Sequence, residues 1–297
     1  MRKLFMTTVL VLCTVGFVSA QINKIDYKKS VVENANQLKM LDSRLQLIPQ
    51  SIFKVQEKTY AAGNFYIDTY EMTNSFYNAF LKDLQTNKLT DLYEKYKVDA
   101  QQWVKLSEAF ETASKYYHTD SKYNEYPVVN ISKEAANAFC EWLTCLYNNW
   151  PQAKHSGARF CLPTESEWLV AAAGGNELAI YPWEGKFLRD KKGELMANFK
   201  VAGEENIRLN ADGKVEILDD NVIYRTTLMP KNSFTPNKYG IYQMSGNASE
   251  MTEDDKIKGG SWHSYGYYML ISAEQEPELY PTPNPFTGFR VVMKMQK

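Results

Sequence analysis

Cysteine stops at Cys161, and any chemistry that needs a thiol nearer the C-terminus stops with it. Cys13 lies within the first twenty residues, which leaves Cys140, Cys145 and Cys161. An odd number leaves at least one thiol free or paired between chains. Cys140 and Cys145 lie five apart on an expected helix and so on different sides of it, with neither metal-ligand nor redox-motif spacing. Buried, inert thiols are the expectation. Histidine is scarce too: His118, His155 and His263 are far apart, and no nucleophile motif supports a Ser-His-Asp hydrolase. The formal net charge is -1 with no basic block. That excludes the electrostatic footprint of a nucleic-acid binder and gives no polybasic membrane patch. No apolar run beyond the first twenty residues approaches the roughly 20 residues of a membrane-crossing helix. No internal repeat or low-complexity linker divides the chain, so one domain is expected.

What is present begins with a secretory signal over residues 1–20. Arg2 and Lys3 form its basic start, Leu4 to Val18 its apolar run, and Val18-Ser19-Ala20 a small-residue cleavage site before Gln21. An uncleaved anchor is one alternative. Lipidation at Cys13 is another, although Leu12 stands where a lipobox has a small residue. The mature chain is therefore expected outside the cytoplasm, in the periplasm, at the outer membrane or beyond it. Aromatics are many, with Tyr 20, Phe 14 and Trp 6, and most such rings fill cores.

Residues 21–59 read as a leading helix and a loop outside the main domain. A short strand is expected at Asn64 to Asp68, then a helix opened by Thr73 with Phe76, Tyr77, Phe80 and Leu81 at helical spacing. Residues 83–123 read as a helical insertion, with Trp103, Leu106, Phe110 and Ala113 along one face. Ser132 opens a further helix striped by Phe139, Trp142, Leu143 and Leu146. Thr164 and Glu167 form a capping box for another, which Gly174-Gly175 stops. Beyond Tyr181 helical periodicity fades into loops and short strands, and Thr287 to Met295 ends on a strand.

Several ordered blocks carry a resemblance. They include Tyr70-Glu71-Met72-Thr73-Asn74, Tyr126-Pro127-Val128-Val129-Asn130, Leu162-Pro163-Thr164-Glu165-Ser166-Glu167-Trp168 and Tyr181-Pro182-Trp183. Further on come Pro236-Asn237-Lys238-Tyr239-Gly240, Met244-Ser245-Gly246-Asn247, Glu250, Lys258-Gly259-Gly260-Ser261-Trp262 and Gly288-Phe289-Arg290. Together they resemble the formylglycine-generating-enzyme, or sulfatase-modifying-factor, family from about residue 60 to the C-terminus. The insertion and the stretch from Lys192 to Lys200 resemble a Bacteroidetes branch with gliding and type IX secretion lipoproteins of the GldK sort. The resemblance implies an α+β domain, a loop-rich variant of the C-type lectin fold. On this reading most motif residues are scaffold.

Enzymes of that family oxidise a substrate cysteine with copper held by two cysteine thiolates, and soft thiolates suit Cu(I). Counting from Gly259-Gly260-Ser261, those positions fall on Ser264 and Met269. Copper-dependent formylglycine formation is therefore not expected; His263 and Met269 would be its only residual ligands. Calcium is the metal that the resemblance favours, since it takes hard oxygen ligands. One implied site uses Glu250 with main-chain oxygens near Gly246 and Ala248. A second uses Asn198 and Phe199, with Asp220 as partner. The alternative is that Glu250 simply caps loop amides. Asn247-Ala248-Ser249 also matches a glycosylation sequon, read as coincidence inside a fold motif.

Three functional classes follow. The first is a non-catalytic structural or interaction protein of the bacterial envelope, with a protein partner in secretion or gliding machinery. The second is a lectin-like module that presents Trp262, His263, Ser264, Tyr265, Tyr267 and Tyr268 to a glycan or peptide, since tyrosine and serine suit recognition. The alternative for those rings is packing under the C-terminal strand. The third class is an enzyme with altered, non-copper chemistry.

Overall fold

Strands from four distant parts of the chain meet in one sheet, and the helices between them cover its two faces. The computed structural model describes residues 21–55, 57–201, 207–209, 215–217, 227–274 and 283–295. The expected signal therefore lies outside the described residues. The chain begins with α1 (Tyr27–Glu33), α2 (Ala35–Arg44), β1 (Leu45–Ile48), β2 (Ser51–Val55), β3 (Lys58–Ala62) and β4 (Phe65–Asp68). It continues with α3 (Asn74–Thr86), α4 (Thr90–Tyr96), α5 (Gln101–Leu106), α6 (Glu111–Tyr116), α7 (Lys133–Asn148), β5 (Ala158–Cys161) and α8 (Glu165–Ala173). Next come β6 (Ile207–Leu209), β7 (Val215–Ile217), β8 (Ser249–Met251), β9 (Ile257–Lys258), β10 (Thr287–Gly288) and β11 (Val292–Met295).

The main sheet has the order β1-β4-β11-β5, antiparallel at each pairing. Side chains alternate across a strand, and here the alternation divides two cores. Phe160 and Met293 join the cluster under α3 and α7, which holds Phe76, Phe80, Phe139 and Trp142. Their neighbours Cys161 and Val292 point the other way, into the cluster under α8 with Trp168, Leu169 and Ile67. Each of these large side chains stabilises the fold by about 1.5–3 kcal/mol through burial. Cys140 sits in the first cluster and Cys161 in the second, and both are free thiols. Burial raises the pKa of both thiols, as the expectation of inert cysteines requires.

The outer edge of β5 is closed by a helix. Thr144 and Asn148 lie one turn apart on α7: Phe160 N–H donates to Thr144 Oγ1 at 2.9 Å, and Asn148 Nδ2 donates to Ala158 O at 2.7 Å. Side chains thus take the place of a neighbouring strand, one way of protecting a sheet edge. The capping predictions hold. Ser132 Oγ accepts from Ala135 N–H, and Thr164 with Glu167 forms the reciprocal box. Thr73 does occupy the N-cap of α3, but makes no capping bond there; its hydroxyl meets Ser75 Oγ at 3.3 Å instead.

Two expectations are corrected. Residues 21–59 are part of the domain and not a separate leader. Val31, Leu38 and Leu41 pack into the same cluster as Phe76 and Tyr77, and β1 extends the sheet. Arg44 fixes this arm: its Nη2 donates to buried Asp68 Oδ2 at 2.7 Å, and its guanidinium lies 4.5 Å from the Phe76 ring centre. The other concerns the insertion: Trp103, Leu106, Phe110 and Ala113 do share one cluster, but they come from successive short helices and not from one. Leu92 and Tyr96 of α4 enter the main core, whereas Trp103, Phe110 and Tyr117 form a third cluster with Trp262. Asn74 ties this second half down by donating to the carbonyls of Tyr117 and Tyr123 at 3.1 Å each. The buried ring of His118 lies 3.0 Å from Asn74 Oδ1, and burial lowers its pKa to about 3. It is therefore neutral at physiological pH.

Candidate functional site

Asn247 is the knot of the loop region. Its Nδ2 donates to Glu71 Oε2 at 2.6 Å and to Met229 O at 3.2 Å. Its Oδ1 accepts from Met229 N–H at 2.8 Å and Asn198 Nδ2 at 3.1 Å. Gly246 beside it must be glycine: φ is +79°, and a Cβ there would stand 2.5 Å from Asn198 O. The sequon is consequently sealed, since Asn247 is 0% exposed.

Glu71 and Glu250 divide the work that the sequence assigned to Glu250 alone. Glu71 Oε1 accepts the Ala248 N–H at 2.8 Å, so Glu71 is the residue that caps the loop. Glu250 instead faces Arg290, which is fully buried. Arg290 Nη2 donates to Glu250 Oε1 at 2.6 Å and Nε to Oε2 at 2.8 Å, a two-point charged pair. Trp168 Nε1 donates to Oε2 at 2.8 Å. Arg290 also holds two main-chain carbonyls, Asp68 O at 3.1 Å and Tyr242 O at 2.9 Å. Burial, then repulsion from Glu250, raises the pKa of Glu71 to about 8, against the pull of Arg290 and the N–H donors.

These contacts bear on calcium. Both Glu250 oxygens accept from Arg290, and one also from Trp168, so Glu250 as it stands does not fit a calcium ligand set. Asn198 O is likewise used, accepting Asn247 N–H at 2.8 Å. Phe199 packs in a fourth cluster with Tyr181, Ala197 and Met269. Asp220 lies outside the described residues. Gly246 and Asn198, assigned from sequence to separate sites, in fact touch.

The Gly-Gly-Ser segment is closed as well. Ser264 is 0% exposed; its Oγ accepts from Ser261 N–H at 3.0 Å and lies 3.0 Å from Ser261 Oγ. Met269 is also 0% exposed. A Cβ on Gly260 would lie 2.5 Å from Met269 Cε, so the thioether end packs directly on that glycine. His263 stacks on Phe286, with ring centres 4.6 Å apart, in different surroundings from Met269.

The displayed surface is smaller than the sequence suggests. Trp262 is 2% exposed, roofed by Phe110 at 5.8 Å and Trp103 at 6.2 Å, with its Nε1 donating to Pro285 O. Trp262 and Ser264 are therefore scaffold. His263, Tyr265 and Tyr268 are half-buried, and Tyr267 alone of the six is well exposed. Sequence reasoning missed Glu71, although it stands inside a quoted block, and missed Phe187, which is exposed. An apolar ring among charges, Lys186-Phe187-Leu188-Arg189, was the available signal for the latter.

The sulfatase-modifying factor enzyme 1-like domain family matches residues 27–295. The formylglycine-generating enzyme of Bos taurus is 28% identical over 213 residues, 65% of this chain and 50% of that protein. The inactive C-alpha-formylglycine-generating enzyme 2 of Bos taurus is 29% identical over 148 residues, 46% of this chain and 39% of its own. The chain thus spans half the length of the first and less of the second. Among solved structures, PvdO from Pseudomonas aeruginosa has a TM-score of 0.54 at 17% identity, with 84% of this chain and 94% of that one covered. CarF has a TM-score of 0.52 at 20% identity, with 85% and 98% covered. Both agree with the expected α+β, lectin-type fold.

Proposed function

The chain belongs to the sulfatase-modifying factor enzyme 1-like domain family, and we propose that it is a non-catalytic interaction protein of the bacterial cell envelope. The observation that carries this reading is the closure of the Gly-Gly-Ser segment. Ser264 and Met269, which stand where the family's chemistry would need thiolates, are fully buried. Met269 packs with Tyr181 and Phe199, and Ser264 is bonded to Ser261, so neither is presented to a substrate peptide. Relatives named inactive formylglycine-generating enzymes support a non-catalytic member. The signal-like first twenty residues support export, and the resemblance of the insertion to secretion and gliding lipoproteins supports an envelope partner.

Two measurements test the reading. Incubation of the purified chain with Cu(I) and a cysteine peptide of sulfatase type is expected to give neither stoichiometric copper nor aldehyde; both together would overturn it. Cross-linking in native envelopes is expected to recover a stoichiometric protein partner. A second reading, a glycan- or peptide-binding module, is favoured by the exposed Tyr267 ring, and recovery of the protein alone would promote it.

A further inference from the structure

Four exposed apolar side chains lie on two neighbouring segments of the loop region. Leu178 is 73% exposed, Ile180 38%, Phe187 76% and Tyr267 61%. They come from two segments that the fold fastens together. Ile271 N–H donates to Ile180 O at 3.0 Å. Leu188 Cδ1 packs so closely on Gly266 that a Cβ there would lie 2.5 Å away, which sets Phe187 and Tyr267 on either side of that contact. Trp183 holds the loop in shape by donating from Nε1 to Phe187 O at 2.9 Å and stacking on Tyr181, with ring centres 4.8 Å apart. The rings are therefore displayed by a bonded frame. An exposed apolar patch of this kind marks an interaction surface.

Charge narrows the partner. Lys186, Arg189, Lys191 and Lys192 are exposed in the same loop. Among the described residues no carboxylate lies within salt-bridge distance of any of them; Arg189 donates only to Gly193 O. Two of the loop's carboxylates are engaged within the chain. Glu184 pairs with Lys238 at 2.9 Å, and Asp190 Oδ1 accepts the N–H groups of Lys192 and Glu194. A uniformly anionic surface such as a membrane would press on those acids as well as on the cations. A discrete peptide can set its carboxylates against the cations alone.

We propose that this surface, centred on Phe187 and Tyr267, docks an acidic segment of a protein partner that also carries apolar side chains. The proposal rests on the reading of the protein as an interaction protein. The test titrates the full chain against a fluorescein-labelled synthetic peptide in which glutamate alternates with leucine and phenylalanine, read by anisotropy. Saturable binding that weakens with salt is expected. Phe187→Ser combined with Tyr267→Ser should weaken it by about tenfold or more, and Lys186→Glu with Lys192→Glu likewise. All four residues are exposed, so the variants should melt like the parent. Absence of saturable binding, equal affinity for a lysine version of the peptide, unchanged variants, or preference for phosphatidylglycerol vesicles would each overturn the proposal. A photo-cross-linker at position 187, compared with one at exposed Val32, separates the two levels in native envelopes. A partner captured only through position 32 sinks this surface and leaves the interaction reading standing. Failure to capture any protein from either position sinks the reading itself.

Discussion

Arg290 Nη2 lies 2.6 Å from Glu250 Oε1, with both side chains almost fully buried. The pair joins β8 to the loop ahead of β11, while the rest of the guanidinium holds the carbonyls of Asp68 and Tyr242. One charged pair thus organises chain segments from both ends of the domain.

Removal of one partner leaves the other charged and dry. Glu250→Gln should therefore cost about 3–5 kcal/mol, seen as a lowered urea midpoint. Lys54→Ala, which breaks an exposed pair with Glu177, should cost about 1 kcal/mol or less. Equal losses would mean that burial does not decide the matter.

Glu71 gives the fold an alkaline weakness. Its folded pKa, about 8, lies above its ordinary value of 4.5, so the folded chain binds the extra proton. That stability is fully present below about pH 4.5 and is lost as pH rises through about 8, at up to about 1.4 kcal/mol per pH unit. Melting temperatures measured from pH 5 to 9 should fall with pH, and Glu71→Gln should flatten the slope. A wild-type curve that rises across this range would contradict the assignment.

The roof over Trp262 can be opened from the insertion. Trp103→Ala should cost about 3–5 kcal/mol and make Trp262 fluorescence accessible to acrylamide. Unchanged quenching would show that Trp103 is not what seals the segment.

Gly246 distinguishes strain from collision. Gly185 also has a positive φ, but nothing lies within 4 Å of a Cβ there. Alanine at 185 should lower the melting temperature slightly, whereas alanine at 246 meets Asn198 O and should prevent soluble folding. Similar yields for the two variants would remove the steric argument.

Thiol labelling should be selective. Cys140 and Cys161 are buried, while Cys145 is half-exposed with its pKa raised by burial. Ellman's reagent should reach Cys145 slowly and the other two only after denaturation. Rapid reaction at all three would place them outside the cores.

Local signals made much of the fold legible. Ser132, Thr164 and Glu167 announce their helices because capping is settled within four residues. The fold class came from the resemblance that the ordered blocks carry. The hairpin of β2 and β3 was missed because the sequence between Val55 and Lys58 has no glycine or asparagine to mark a turn. β1 was missed because its place is set by pairing with β4, a long-range fact. At the site, Glu250 was found and given the wrong neighbour, because no local pattern says that Arg290, forty residues on, will face it. Exposure was the least legible property: nothing in Trp262 to Tyr268 tells which rings the distant Trp103 and Phe110 will cover.

The strand order has a mechanical consequence. β1 and β11 flank β4 on its two sides, both antiparallel to it, and so run in the same direction. A pull applied upstream of Leu45 and downstream of Met295 would therefore load the ladders along their length, with their hydrogen bonds strained together in shear and not unzipped one at a time. A sheet arranged this way resists tension applied across those two strands.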